Sequence, residues 1–585
     1  MKTSFHHHVI AAAACLTLLP AQAVRTTTDG GIEIDFGSTL SVGAQVRLGK
    51  PLRDTVGNDN GGNVPTGARL GALLNGPGGE AAANPDFNFL NGDDGNLNYR
   101  RGDVVSAPLK GNHELGLKTP DGWRALVRAS WLKDFKADDT RRTPLSEDAK
   151  DIAVTNWTWL DAWVSKDFKL GDRNATVRVG NQVLSWGEDI FIVGGINQIN
   201  AFDLRKLRTP GAQVKEILRP APMVSVNAGV ADGVSFEAYY QWKWNAFRYD
   251  PVGTFFSGAD VVGAGQRPAY IPSSVLGEAA GTFGDSGAGI VPGANVSPFE
   301  QDKLPPKGRQ FGFAARFKPK GIDTEFALYY QRYHDKLPFT TLFTDPAYLA
   351  HNVAGIGYYN EYGRDKNLFG ASFNTKAGPV ALGGELSYRP RDSVAIDGSV
   401  PLSGPYSIFD PANADASGRA TVRGYVEEKK IQAHLTALYY TEVNSWTGAL
   451  VRALGAAEGT VLAEVAVTHY PNLKVGTVPY LIFPSYESPT KTSWGYAIEF
   501  DLSYPRVWGS EWNLTQVTVF THDVNGISPN TLPFVKGRKS LFLGLNFDKD
   551  SVWKMQFGYT AFFGGGLSNI IRDRDNVSAS LSYSF

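Results

Sequence analysis

Cysteine is almost missing from this chain: one in 585 residues, at Cys15. It lies in MKTSFHHHVIAAAACLTLLPAQA, where Lys2 and three histidines precede an apolar run from Val9 to Leu19 and Ala21-Gln22-Ala23 follows it. That order reads as a secretory signal peptide, residues 1–23, cut after Ala23. Acylation at Cys15 is the poorer reading, because Ala12-Ala13-Ala14 supplies no large apolar residue before it. The rest of the chain, 24–585, then holds no cysteine, which excludes disulfides and thiolate metal sites. Net charge is missing too: 57 basic against 58 acidic residues give −1, so no basic field exists for nucleic acid. Beyond the signal no apolar stretch reaches about 18 residues, which excludes a membrane-spanning helix. The remaining way across a bilayer is a closed barrel of strands.

What the chain has instead is alternation. In TSWGYAIEFDLSYP, Trp494, Tyr496, Ile498, Phe500, Leu502 and Tyr504 share one face, and Ser493, Gly495, Ala497, Glu499, Asp501 and Ser503 the other. One face suits lipid and the other water, at the two-residue period of a strand. Such runs, with turn residues between them, predict strands at 38–48, 109–118, 123–133, 156–168, 175–184, 216–230, 234–244, 308–318, 323–334, 366–375, 380–389, 428–441, 460–470, 492–504, 511–522, 538–548, 551–562 and 576–585. The number is even, as in bacterial barrels. Short turns such as PDG (120–122), ADG (231–233) and DKDS (548–551) alternate with most of the long connections, the asymmetry of short periplasmic and long extracellular loops. The closing NVSASLSYSF places Val577, Ala579, Leu581, Tyr583 and Phe585 toward lipid and the serines toward the lumen. Trp123, Tyr504, Trp512, Trp553 and Tyr583 fall near one end of their strands, as an aromatic girdle requires. The expected fold is all-β: an outer-membrane barrel of about 18 antiparallel strands over 24–585, in the bacterial outer membrane, monomeric, among lipids and lipopolysaccharide.

So wide a ring encloses an aqueous channel unless something fills it. The largest extracellular candidates are 49–108, 185–215, 245–307, 335–365, 390–427 and 471–491. Several are unusually apolar: 337–359 carries only Asp345 as a charge, and 475–486 none. Such residues either bind a ligand or pack on one another as a cap. One connection stands apart, LSWGEDIFIVGGINQINAFDLRKLRTPGAQVKE, Leu184 to Glu216, which has neither period. Its apolar centre from Ile190 to Ile199 is flanked by Glu188 and Asp189 before and by Asp203, Arg205, Lys206 and Arg208 after. We expect it to fold into the lumen as a constriction or gate. The path would then be lined by Trp186, Glu188, Asp189, Ile190, Phe191, Ile196, Asn197, Asp203, Arg205, Lys206 and Arg208. The charges should find partners on the inner wall, and Ile190, Phe191, Ile192 and Ile196 should be covered.

DDGNLNYRRGD (93–103), GNQVLSWGEDIFIVGGINQINAFDLRKLRTPGAQVKE (180–216) and YDPVGTFFS (249–257) resemble stretches of a proteobacterial outer-membrane family, domain of unknown function 1302. The resemblance runs over essentially all of 24–585. It implies a large barrel, a periplasmic or lipoprotein partner and an inner-membrane transporter, and a role in moving hydrophobic compounds such as sterols or hydrocarbons. It supplies no catalytic or binding residues.

Enzymatic chemistry finds little support. His113, His334, His351, His434, His469 and His522 lie on separate segments without metal-ligand spacing, and His522-Asp523 would need a serine by chance of folding. NGDDGN (91–96) and RDRDN (572–576) read better as solvated turns than as calcium loops. No cofactor or resident metal is implied. The function expected is a transporter or channel for hydrophobic small molecules. The alternatives are a general or polar-substrate porin and a non-transporting envelope assembly or adhesion protein.

Overall fold

The structure, a computed structural model, describes residues 24–64, 85–273, 295–352, 354–399, 401, 403–441, 444–481 and 488–585. The expected signal peptide, 1–23, lies outside the described residues, as do parts of the loop candidate 245–307 and of the apolar stretch 475–486.

Eighteen long strands form the wall: β1 (Glu33–Arg47), β2 (Pro108–Lys118), β3 (Trp123–Asp134), β4 (Thr155–Leu170), β5 (Arg173–Gln182), β6 (Ala221–Ala231), β7 (Val234–Gln241), β8 (Gln310–Phe317) and β9 (Thr324–Tyr333). They continue as β10 (Lys366–Ala377), β11 (Val380–Ala395), β12 (Tyr425–Tyr440), β13 (Glu458–His469), β14 (Thr492–Tyr504), β15 (Asn513–Asn525), β16 (Arg538–Lys549), β17 (Trp553–Gly564) and β18 (Asn576–Ser584). Each bonds antiparallel to its neighbours in sequence, and β18 returns to β1 in the register Leu40↔Tyr583 to Arg47↔Asn576, so the sheet closes without an edge. Short strands Val24–Thr27 and Val104–Ser106 add to β1. Closure satisfies the backbone groups that hydrocarbon could not.

The alternation reads out as expected. Val465, Val467, Leu543, Leu545 and Phe557 are exposed on the outer face, whereas Ser41 and Ser582 meet inside at 2.7 Å. The C-terminal Phe585 is held at the periplasmic end by paired backbone bonds to Ser38, and Tyr583 packs between it and Trp553. This is a bacterial outer-membrane barrel.

Two departures from the sequence reading concern connections. The sixth strand begins at Ala221, not 216, because 214–217 is a helical turn and Leu218–Arg219 bonds to Ala201–Phe202 instead of to the wall. The connection 441–457 on the periplasmic side is long and contains a helix, Trp446–Ala453, capped by Ser445. Val451 of this helix packs with Leu502, and it lies where a side chain at Gly459 would stand. Both positions share the face of Val465 and Trp494, so the helix rests on the outside of the barrel, with Trp446, Leu450 and Leu454 exposed.

Extracellular loops pack into a cap. Phe339–Thr344, Ile356–Glu361 and Ala420–Val422 make a three-stranded sheet, and Ile396, Ile408, Val422, Tyr480 and Val478 form an apolar cluster above the wall. The packing alternative for the apolar loops therefore holds for their described residues. NGDDGN and RDRDN are not solvated turns. Asp93, Asp94 and Asp573 are buried, and Asn96 and Asp573 bind the Arg47 guanidinium, because both stretches close the same side of the cap.

Candidate functional site: the inserted segment and the lumen

Residues 183–220 leave β5 and turn into the lumen, where they divide. The first branch, 186–196, crosses to the wall at β7 to β13. Trp186 is 2% exposed; its ring meets Tyr239 and Tyr329 at 5.2 and 5.7 Å and its Nε1 donates to Glu237 at 2.7 Å. Ile196 and Ile199 complete this cluster with Met223, Ala314 and Leu368. Two wall glycines allow the approach: a Cβ at Gly312 would lie 2.9 Å from Trp186, and one at Gly370 2.8 Å from Ile196.

The grip on this branch is on its backbone. Glu464 Oε2 accepts from the amides of Ile190, Phe191 and Ile192 at 3.3, 2.5 and 3.0 Å. Glu385 accepts from Glu188 and Ile196 at 2.6 and 2.8 Å. His434 Nδ1 sits 2.6 Å from the other oxygen of Glu464, and Arg389 donates to the carbonyls of Gly194 and Gly195 at 2.6 Å. Glu385, Glu464 and His434 are all buried, so these are charge-assisted bonds shielded from water.

The second branch, 203–216, lies against β1 to β3. Lys206 donates to Ser130 at 3.0 Å, Lys110 pairs with Glu216 at 2.7 Å, and Gly211 sits against Ser41 and Ser580. Asp203 caps the turn Leu204–Arg208 and pairs with Arg248 at 3.0 Å. Arg205 donates to the Ala153 carbonyl, and Arg208 pairs with Asp250.

The charges thus find partners, with two corrections. Asp203, Arg205 and Arg208 pair with neighbouring loops and not with the wall. Asp189 meets like charges: burial first, then Glu385 and Glu464, push its carboxyl up to about 8. The physical reason is that both wall carboxylates are already committed to backbone amides. Glu188 accepts from Asn374 at 3.0 Å, and Asn197 donates to Ser185 at 3.2 Å. Nor are all the apolar residues covered: Ile196 is buried, but Ile190 is 51% exposed, Val193 40%, and Phe191 and Ile192 are half-buried. Holding the backbone through its amides leaves these side chains without cover from that wall.

That lumen is filled on one side only. Ser387, Gln432, Glu464 and Thr468, inward on β11 to β13, are at most 1% exposed. From Glu499 on β14 across β15 to β17 the inward positions other than Gly544 are half-buried or open, whereas Ser493, Gly495 and Ala497 at the extracellular end of β14 are covered. There Val517 and Val519 on β15, and Phe542 and Phe562 on β16 and β17, stand on the lumen face, Val519 directly opposite Phe542. Gly544 and Gly558 leave room for the Phe542 ring, since a Cβ at either would approach it to 3.0 Å or closer. Glu499 and Asp501 border this strip on β14, Thr560 and Gln556 on β17. Sequence reasoning missed the strip, although strand parity contains it. The wall carboxylates were legible the same way, as inward charges on predicted strands.

His522 faces outward against Tyr496 while Asp523 faces inward to Arg538 at 2.7 Å, so the two cannot act as a catalytic pair. Asp93, Asp94 and Asp260 converge in the cap with Arg142 and Arg267 beside them.

Residues 4–585 match the family described as "Protein of unknown function (DUF1302)". No curated protein matches. Among solved structures, OccAB1 of Acinetobacter baumannii is similar at 10% identity and TM-score 0.42, covering 96% of this chain and 98% of that one. OpdK of Pseudomonas aeruginosa with vanillate is similar at 8% and 0.39 over 94% and 98%. A BenF-like porin from Pseudomonas fluorescens Pf-5 is similar at 9% and 0.39 over 96% and 98%. The fold of this chain rests on its own closed ladder.

Proposed function

The chain belongs to the DUF1302 family, and from that premise and its lumen we propose that it is an outer-membrane channel for hydrophobic small molecules, with 184–216 as its constriction. One observation carries the reading: the wall along β15 and β16 presents Val517, Val519 and Phe542 to the lumen at positions left partly exposed, and Ile190 and Val193 of the inserted segment are exposed as well. Apolar surface facing water is costly, at roughly 25 cal/mol per Å². A solute that covers it recovers that cost, whereas a hydrated ion does not. The segment acts as a fixed sill whose backbone is held by Glu385 and Glu464 while its side chains face the path. A periplasmic or lipoprotein partner and an inner-membrane transporter would receive or supply the solute.

The test compares Val519→Asp and Phe542→Gln with wild type in proteoliposomes. Losing half the burial of one such side chain, about 1 kcal/mol, lowers uptake of a lipophilic dye roughly fivefold for each variant, without reducing passage of small sugars. A large, steady ion conductance in planar bilayers, together with unchanged dye uptake in both variants, would instead establish a polar porin.

A further inference from the structure

On the extracellular side of the inserted segment lies a cavity of about 120 Å³, between residues 189–202 and the loops at 333–339 and 530–533, with β11 and β12 as its floor. Its lining is two-sided. Phe202, Phe247, Leu337, Phe339 and Leu532 form one part, and three cations, Lys336, Arg389 and Lys430, converge on the other. Each cation is buried, at 7%, 3% and 6% exposure. Lys336 donates to the Gln198 carbonyl at 2.6 Å, and Arg389 uses one nitrogen on Gly194 and Gly195. Lys430 is different. Its ammonium lies 5.8 Å from the Tyr470 ring, and among the described residues it has neither a hydrogen-bond acceptor nor an ion-pair partner. The Arg389 Nε is likewise without an acceptor.

Burying an ammonium with no acceptor is among the costlier things a fold can do. No acid of the cavity bonds it. Asp392, whose charge acts on Lys430 most strongly, already accepts from the Tyr470 hydroxyl at 2.7 Å and lies 3.6 Å from Arg389, and burial beside Glu385 and Glu464 holds the Asp189 carboxyl toward its neutral form. Asp335 is raised to about 6 and Lys336 lowered to about 8, so both remain charged at pH 7. Three cations against Asp335 and Asp392 leave one positive charge over.

We propose that this cavity binds a small organic anion with an apolar body, its charged end on Lys430 and the Arg389 Nε and its body among Phe202, Phe247, Leu337 and Phe339. The volume is of the order of cavities that hold one benzene ring, which sets the body at about six carbons. As the substrate class of the channel, the proposal rests on the function proposed above. Occupancy, however, can be measured without transport.

The experiment is calorimetric titration of the full-length protein in detergent with hexanoate, 1-hexanol and hexylammonium. Hexanoate is expected to bind at least tenfold more tightly than hexanol, and hexylammonium not at all. Lys430→Met should weaken hexanoate at least tenfold and leave hexanol unchanged, while Lys430→Arg keeps hexanoate within about threefold. Heat-modifiable migration verifies that each variant has assembled. Equal binding of hexanoate and hexanol by wild type overturns the proposal whatever the variants do, as does hexanoate binding that survives Lys430→Met. Dye uptake that fails while hexanoate binding holds overturns the channel and leaves the site. Uptake that holds while hexanoate binding fails removes the site alone.

Discussion

Replacing Glu464 with alanine should unseat the inserted segment. Its Oε2 accepts from three consecutive amides, and its other oxygen meets His434. A buried donor left without an acceptor costs about 1–3 kcal/mol, so three would cost roughly 3–9 in a dry site. Truncation to alanine opens a polar space beside these amides that water can enter, which favours the lower end. A loss of about 3 kcal/mol multiplies the population of the released segment roughly a hundredfold, at 1.4 kcal/mol per factor of ten. No wall strand loses a ladder bond, so the barrel still assembles and retains its heat-modifiable migration. In planar bilayers Glu464→Ala should show larger conductance with frequent stepwise fluctuations, and the segment should become susceptible to protease. Glu464→Gln, which retains an acceptor oxygen without the charge, should fall between. If Glu464→Ala assembles and matches wild type in conductance, noise and protease resistance, the carboxylate does not hold the segment.

Three further outcomes follow from the structure. Cysteines at Asp121 and Asp550 should label only when the periplasm is opened, and cysteines at Arg101 and Ser417 on intact cells; surface labelling at 121 would break the register. Asp189, with its carboxyl raised to about 8, favours the protonated folded form, so the seating of the segment is fullest below about 4 and weakens as pH rises towards 8. Fluctuation noise should therefore increase over that range in wild type and stay flat in Asp189→Asn. An environment-sensitive dye at Trp446→Cys should emit as in an apolar medium when the protein is in vesicles, because Trp446, Leu450 and Leu454 share a flank of a helix seated on the lipid face, with Arg452 opposite. Water-like emission there would place that flank outside the bilayer.

Every predicted strand has its counterpart in the wall, since lipid on one side and water on the other force a two-residue period wherever the chain crosses the bilayer. Boundaries slipped where that force ends. Residues 216–220 belong to a segment that packs on itself before the wall begins, and the helix Trp446–Ala453 lies in a connection, 442–459, to which the sequence reading assigned no element. The inserted segment was identifiable by what it lacks, having neither period. Its partners were not, because Glu385 and Glu464 lie about 190 and 270 residues away along the chain and only closure of the ring brings them opposite. Asp189 shows the limit of charge pairing by composition: nearby cations exist, but Arg389 is spent on carbonyls.

The way Glu464 and Glu385 take hold of residues 188–196 separates two kinds of information in one short stretch. An amide N–H is the same on every residue except proline, so the wall recognises the course of the chain and is indifferent to what it carries. Ile190, Phe191, Ile192 and Val193 can be exchanged for other non-proline residues without loosening the anchorage. In the channel proposed above, point substitutions at these four positions would then alter what the passage admits, while the scaffold that places them stays constant.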